Sequence, residues 1–476
     1  MSAAPWKTTD VVQACGGEVL SPGDGDAFAA IGIDSRRITA DALFVAIVGE
    51  VHDAHRFIGD VLARGVRGLV VQADRVGDLP VADWRREGIF CLAVPDTTRA
   101  LGDLARHRRR ALDVSVVAVT GSNGKTTTRA MTAAVLSRRF TVLETCGNFN
   151  NQIGLPLTLF DLEPRHQWAV LELGTNHPGE IRALARICLP DVGVVTNIAP
   201  AHLEGLGSIE GVRLAKRELI EELGPDGTAI LNRDDANVAR MADEIERRVV
   251  FYGRHAEATV RGDDIRATGK GVAFTLHIDG HAVRVQLHTP ARFMVANALA
   301  AAAVGTVAGL PAEEIADGLE NFAPVPGRLN ILELADDIVV IDDTYNANPG
   351  SMKVALETLM ELPGRRRAVL VAGDMKELGP RERALHAEVG ALAVRCGVDR
   401  ILACGQFAED LAAGARSAGM ASKAVTVAER EDIAAHLGDW LQPGDRVLIK
   451  GSRAMAMEAV VERLKDRGGD RRPGKV

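Results

Sequence analysis

The segment VSVVAVTGSNGKTTT, Val114 to Thr128, constrains the fold more than any other stretch of this chain. Its β-branched apolar run shows no polar alternation, so the strand it forms is expected to be buried on both faces, as in a parallel sheet covered by helices. The run passes into a Gly-rich turn and then into a helix expected to begin near Thr126. That order builds an anion site, because the turn aims backbone N–H groups at phosphate oxygens beside the positive end of a helix. Thr120, Gly121, Ser122, Asn123, Gly124, Lys125, Thr126 and Thr127 make a phosphate loop shorter than G-x-x-x-x-G-K-T, whose first glycine would fall on Val119. Lys125 can bring a point charge to the β/γ end of a nucleotide, and Thr126 can offer a hydroxyl to Mg2+.

At 476 residues the chain is too long for one hydrophobic core, and three units are expected. LFVAIVG, GLVVQA and IFCLAV, separated by helical stretches, predict a small α/β unit over 1–112. WAVLEL (Trp168 to Leu173) and VGVVTNI (Val192 to Ile198) join the phosphate-loop strand in a doubly wound, mostly parallel sheet over 113–326. This unit also carries an antiparallel appendage around VAFTLHI and an Ala-rich helix from Ala296 to Ala308. PVPGR, Pro324 to Arg328, has the composition of a linker. Beyond it IVVIDD, AVLVAGD, RILACG and DRVLIKGS predict a third, Rossmann-like α/β unit over 327–476.

Ligands of open α/β sheets collect at the carboxyl ends of strands. Glu172 ends one apolar run, and His202 follows another by four residues. Each alone reads as an ordinary strand-end or loop residue. On one sheet edge with a phosphate loop they become candidates for a second Mg2+, which suits a phosphoryl transfer to an anionic acceptor. Lys216, in the amphipathic RLAKRELIEEL, reads on pattern alone as a surface lysine. The third unit offers Asp342, Asp343, Tyr345, Asn346 and Asn348 in IDDTYNANP, then Asp374, Lys376 and Glu377 in GDMKELG, then Lys450, Ser452 and Arg453 in KGSRAM. Such residues also make plain turns, but three polar loops on one edge favour a site.

A net charge of -8 and a pI near 5.9 give no positive field for a nucleic-acid backbone. The basic run Arg106 to Arg110 is read as a solvated helix face. Six scattered cysteines, without C-x-x-C pairs, are read as buried free thiols of a reducing compartment. The N-terminal residues lack a signal-peptide layout and no apolar stretch is long enough to span a bilayer, so a cytoplasmic protein without membrane insertion is expected, and a monomer.

Seven motifs, TGSNGKTTT, GNFNNQIGLPLTL, ELGTNHPGEI, TNIAPAHLEGLGS, IDDTYNANPGSM, GDMKELG and KGSRAMAMEAV, resemble in sequence and order those of the Mur ligases. IDSRRI, LFVAIVGE and HDAHRF extend the resemblance over essentially the whole chain, nearest to the branch that adds D-alanyl-D-alanine. It implies an ATP-dependent ligase of peptidoglycan precursor synthesis. ATP would phosphorylate the terminal carboxylate of UDP-MurNAc-tripeptide, and the amine of D-Ala-D-Ala would attack the acyl phosphate. By position, the resemblance assigns Lys125 to phosphates, Thr126 and Glu172 to Mg2+, and His202 with Glu172 to a second ion. Lys216 is implied to be carbamylated and to help hold Mg2+. Asn297 is implied at adenine, Arg328 and Asp343 at the nucleotide, and Asp34, Ser35 and Arg36 at the UDP moiety. Asn148, Tyr345, Asn346, Asn348, Lys450 and Ser452 are implied substrate contacts, the last four facing the dipeptide.

One departure is Pro290, Ala291, Arg292, Phe293, where the family reads P-G-R-H; losing the glycine and imidazole predicts a differently shaped adenine pocket. A sister ligase adding the third peptide residue, or a folylpolyglutamate synthase, is disfavoured by DDTYNANP and by the lack of a DNPR-type motif. A non-catalytic nucleotide-binding regulator is disfavoured by Glu172, His202 and Lys216 occurring together.

Overall fold

The computed structural model describes residues 5–49, 52–268, 271–364 and 366–468; Glu50 of LFVAIVGE and residues 469–476 lie outside them. The apolar runs become the strands of three main sheets. The first has the strand order Glu18–Pro22, Phe90–Val94, Gly68–Gln72, Ala42–Val45, Ala30–Gly32, parallel except at Glu18–Pro22.

In the second sheet the phosphate-loop strand Ser115–Thr120 is central, paired in parallel with Trp168–Glu172 on one side and Val192–Val195 on the other. Parallel strands Thr228–Asn232 and Arg248–Gly253 extend it, and Val260–Thr268, Gly271–Ile278 and His281–Leu287 form the expected antiparallel appendage. Val117 and Val119 face one helical layer, Val116 and Ala118 the other, all fully buried. Each such valine contributes roughly 1.5–3 kcal/mol of burial, which is why this strand has no polar face. The Ala-rich helix is Met294–Val307 and packs on the phosphate-loop helix Lys125–Leu136, its small side chains permitting close approach.

The third sheet runs Asn330–Glu333, Val339–Asp343, Asp445–Lys450, Arg367–Ala372, Arg400–Ala403, Val425–Val427, parallel after its first, antiparallel strand. The last strand in sequence, Asp445–Lys450, inserts between Val339–Asp343 and Arg367–Ala372, so the IDDTYNANP and KGSRAM loops emerge as neighbours. Register pairs Asp343 directly with Lys450.

Two expectations need correction. The run Arg106 to Arg110 is not simply a solvated face: Arg108 is buried with its guanidinium 4.3 Å from the Trp6 ring centroid, and Arg109 donates to the carbonyls of Cys188 and Leu189. It seams the first unit to the second, because the helix Thr97–Arg110 packs between them. The six cysteines are free, but Cys146 is exposed and Cys15 and Cys396 are only half-buried. No described helix is long and apolar enough to cross a membrane.

Candidate active site

The phosphate loop is fixed by close packing at its glycines. Gly121 has φ 146°, and a Cβ there would stand 1.9 Å from Thr196 Oγ1; Gly124 has φ 80°, and a Cβ would stand 2.5 Å from Asn297 Oδ1. Side chains at either place would be strained and would collide. The loop tip is clamped by the neighbouring strand's end: Asn123 N–H donates to Asn197 Oδ1 (3.0 Å), while Thr196 Oγ1 and Asn197 Nδ2 donate to the Asn123 carbonyl (2.6 and 3.0 Å). Lys125 begins the helix and donates from Nζ to Gly121 O at 2.9 Å. Burial lowers its pKa, Glu172 opposes that shift, and Arg328 adds to it.

Glu172 leaves its strand beside this loop because it registers with Val119, one residue before the loop begins. Thr126 Oγ1 donates to Glu172 Oε2 at 2.8 Å and Asn150 Nδ2 donates to Oε1 at 2.9 Å. Arg328, from the linker, donates to Thr126 Oγ1 at 3.2 Å. The carboxylate is 2% exposed, so both oxygens are aimed by these partners.

Lys216 overturns its surface reading. It is fully buried in the helix Ile209–Glu221, and its Nζ has no hydrogen-bond partner among the described residues. Burial, then the nearby Lys125 charge, push its pKa well below the usual lysine range, while Glu172, Glu180 and Glu218 pull the other way. His202 adopts a left-handed conformation (φ 52°) at the start of the turn Leu203–Leu206, and its Nδ1 lies 2.6 Å from Glu377 Oε2 of the third unit. That bond holds the Glu377 carboxyl below its usual range.

From the third sheet, Lys450 Nζ donates to Asp343 Oδ2 (2.5 Å) and to the Asn346 carbonyl (2.7 Å), and burial lowers its pKa. Asn348 caps the helix Pro349–Glu361 through a reciprocal pair with Ser351, and its Nδ2 donates to Asn123 Oδ1 at 3.0 Å. Ser452 Oγ accepts from Lys376 N–H at 2.8 Å and donates to the Ala347 carbonyl at 3.3 Å, tying the three loops together.

One cavity of about 1090 Å³ joins these parts. Ser122, Asn123, Gly124, Lys125, Thr126, Thr127, Asn148, Glu172, His202 and Asn297 line it from the second unit. Arg328, Asp343, Tyr345, Asn346, Asn348, Lys450 and Ser452 close it from the linker and third unit. Gly121 and Lys216 lie behind the lining, and Asp34, Ser35 and Arg36 are outside it: Arg36 pairs with Asp34 (2.9 Å) and holds its carboxyl down at about 2. Phe293 lines the cavity where the helix Met294–Val307 begins, and Ala291 is fully buried behind it.

A model of the Mur ligase middle domain matches residues 119–305, and one of the Mur ligase, glutamate ligase domain matches 327–453. The UDP-N-acetylmuramoyl-tripeptide--D-alanyl-D-alanine ligase of Escherichia coli (strain K12) is 40% identical over 92% of this chain and 94% of its own. The chain belongs to the Mur ligase family. A crystal structure of MurF from Acinetobacter baumannii superposes with a TM-score of 0.87 at 33% identity, covering 98% of this chain and 100% of that one. MurF ligase from Thermotoga maritima, solved in complex with ADP, gives 0.80 at 28% identity, with 92% and 98% covered.

Within this Mur ligase, sequence reasoning missed several lining residues. Asn150, rather than Asn148, holds Glu172; both stand in GNFNNQIG and nothing in the pattern separates them. Asn197 clamps the loop tip from TNIAPAH, and Glu180 joins the wall. For Lys216 a signal existed: Val212, Ala215 and Leu219 place it on the buried helix face.

Proposed function

We propose that this chain joins UDP-MurNAc-tripeptide to D-Ala-D-Ala with ATP, releasing ADP and phosphate and forming UDP-MurNAc-pentapeptide. The observation that carries the reading is the single cavity shared by Lys125, Glu172, His202 and the three third-unit loops. The tripeptide's terminal carboxylate attacks the γ-phosphorus and ADP leaves; the dipeptide amine then attacks the acyl carbon and phosphate leaves.

Lys125 and the loop N–H groups hold the phosphates, Arg328 and Asp343 contact the nucleotide, and Asn297 faces adenine from beneath Gly124. Thr126 and Glu172 would hold one Mg2+, and Glu172 with His202 would hold a second. The hydroxyl–carboxylate pair at 2.8 Å fits such a role, since each supplies an oxygen to the same point. No described group of three or more His, Cys, Asp or Glu side chains converges as a metal cage, which suits an ion completed by phosphate and water. Mg2+ would screen the repulsion between carboxylate and triphosphate.

The Lys216 Nζ, buried, without a hydrogen-bond partner among the described residues and inclined to neutrality, is the form of amine that adds CO2. The resulting carbamate would answer the Lys125 charge and help hold the second ion. The units 1–112, 113–326 and 327–476 are read as holding the UDP end, ATP and the dipeptide, with Asp34, Ser35 and Arg36 at the first and Asn148 at the tripeptide. Asn346, Asn348, Lys450 and Ser452 build the dipeptide side, with Tyr345 at its entrance. Mass spectrometry of the product with tripeptides ending in diaminopimelate or lysine tests the reading: a pentapeptide that needs ATP and D-Ala-D-Ala supports it, and none with either tripeptide refutes it.

A further inference from the structure

A dipeptide that enters as nucleophile brings a carboxylate at its far end, and a water-poor cavity must supply a cation for it. Besides Arg328 of the linker, which is turned to Thr126, the third unit offers Lys376, Lys450 and Arg453, all lining the cavity. Lys450 is 2% exposed and committed to Asp343 and the Asn346 carbonyl. Lys376 lies 2.9 Å from Asp374, whose side chain is 2% exposed, so drawing Lys376 away would leave a buried carboxylate without its counter-charge. Arg453 is differently placed. Its partner Glu458 (2.7 Å) and its own side chain are both exposed, 40% and 61%, so that pairing is weak and water readily replaces it.

The spacing also fits. The Tyr345 ring has the Arg328 guanidinium 4.0 Å from its centroid and that of Arg453 5.8 Å from it, which puts the two cations within about 10 Å of each other. Arg328 reaches Thr126 at the phosphate end. An extended dipeptide spans roughly 6 Å from amine to carboxyl carbon, and a bidentate guanidinium–carboxylate pair adds about 4 Å. A dipeptide held by its carboxylate at Arg453 is therefore long enough for its amine to reach as far as Arg328, which contacts the phosphate loop at Thr126.

We infer that Arg453 binds the terminal carboxylate of the incoming dipeptide, through its fork of N–H donors, and so selects an acceptor with a free C-terminal acid. This rests on the ligase reading above and names a contact within it. The test compares D-Ala-D-Ala with D-Ala-D-alaninamide, whose C-terminus is uncharged, in the full-length wild type and in Arg453→Met and Arg453→Lys. Wild type is expected to prefer the acid. Arg453→Met should raise KM for D-Ala-D-Ala by 10- to 100-fold, as expected for a charged hydrogen-bonded pair. It should leave kcat within a few-fold and KM for ATP and UDP-tripeptide unchanged, and it should lose the acid-over-amide preference. Arg453→Lys keeps charge without the fork and should show an intermediate preference; it carries the test if the Met variant does not fold. A wild-type acid-over-amide preference in either folded variant overturns the assignment. Wild-type protein that turns over neither dipeptide overturns the ligase reading instead.

Discussion

A lysine amine sealed from water without a partner is costly while charged and is stable there only if neutral or modified. Among the described residues Lys216 is in that position. Lys216→Ala is expected to lower ligase activity by on the order of 100-fold or more, since the proposed carbamate would be lost as an ion-holding group, and added short carboxylic acids should restore part of it. Rates with and without acetate or formate check this, and full activity without them removes Lys216 from the chemistry. Lys125 differs in kind. Its Nζ bonds to a loop carbonyl, so Lys125→Ala should leave the thermal midpoint nearly unchanged. Phosphoryl transfer should fall by about 10³-fold, because the charge that answers the γ-phosphate is gone. Normal ATP turnover in that variant would contradict the loop assignment.

At the scale of elements, the glycine turn and the GDMKELG loop are each fixed by bonds from neighbouring segments. Gly124→Ala puts a methyl against Asn297 Oδ1 at a positive φ, and should destabilise the loop by roughly 1–3 kcal/mol; weakened ATP binding by calorimetry is the readout. GDMKELG is seated by His386, whose Nε2 accepts from Met375 N–H (2.9 Å) while Nδ1 donates to the Glu382 carbonyl (2.7 Å). Only the neutral ring makes both bonds, and burial lowers its pKa below the ordinary 6.5. The unfolded chain therefore takes up this proton at higher pH than the native one. Stability from this seat is complete above 6.5 and is lost as pH falls through the lowered value. Wild type should lose more thermal stability between pH 7 and pH 5 than His386→Gln, whose amide oxygen can still accept from Met375.

These elements also show what the sequence discloses and what it hides. Strands such as VSVVAVT are legible because burial on both faces leaves a continuous apolar run, and the phosphate loop because its glycines answer a steric demand. Lys216 reads as a surface residue from its charge, although the spacing of Val212, Ala215 and Leu219 sets it on the buried face of its helix. The Arg108 stack on Trp6 and the Asn150 bond to Glu172 depend on pairings across 102 and 22 positions, which no local pattern encodes. The insertion of Asp445–Lys450 beside Val339–Asp343 is of the same kind.

For the whole molecule, the linker and third unit meet the second unit at several places, among them His202 with Glu377, Asn348 with Asn123, and Arg328 with Thr126. Such closure excludes water that would otherwise hydrolyse an acyl phosphate. Glu377→Gln weakens one contact and should raise hydrogen exchange in both 197–206 and 374–379, with ligase turnover reduced about 10-fold. Unchanged exchange would show that this bond does not hold the units together. The most direct test of the account is phosphate release by the purified chain with ATP and Mg2+, adding D-Ala-D-Ala and UDP-MurNAc-tripeptide singly and together. Release that appears only with both, in step with pentapeptide formation, is the predicted result; release indifferent to either acceptor, or none with both, would contradict it.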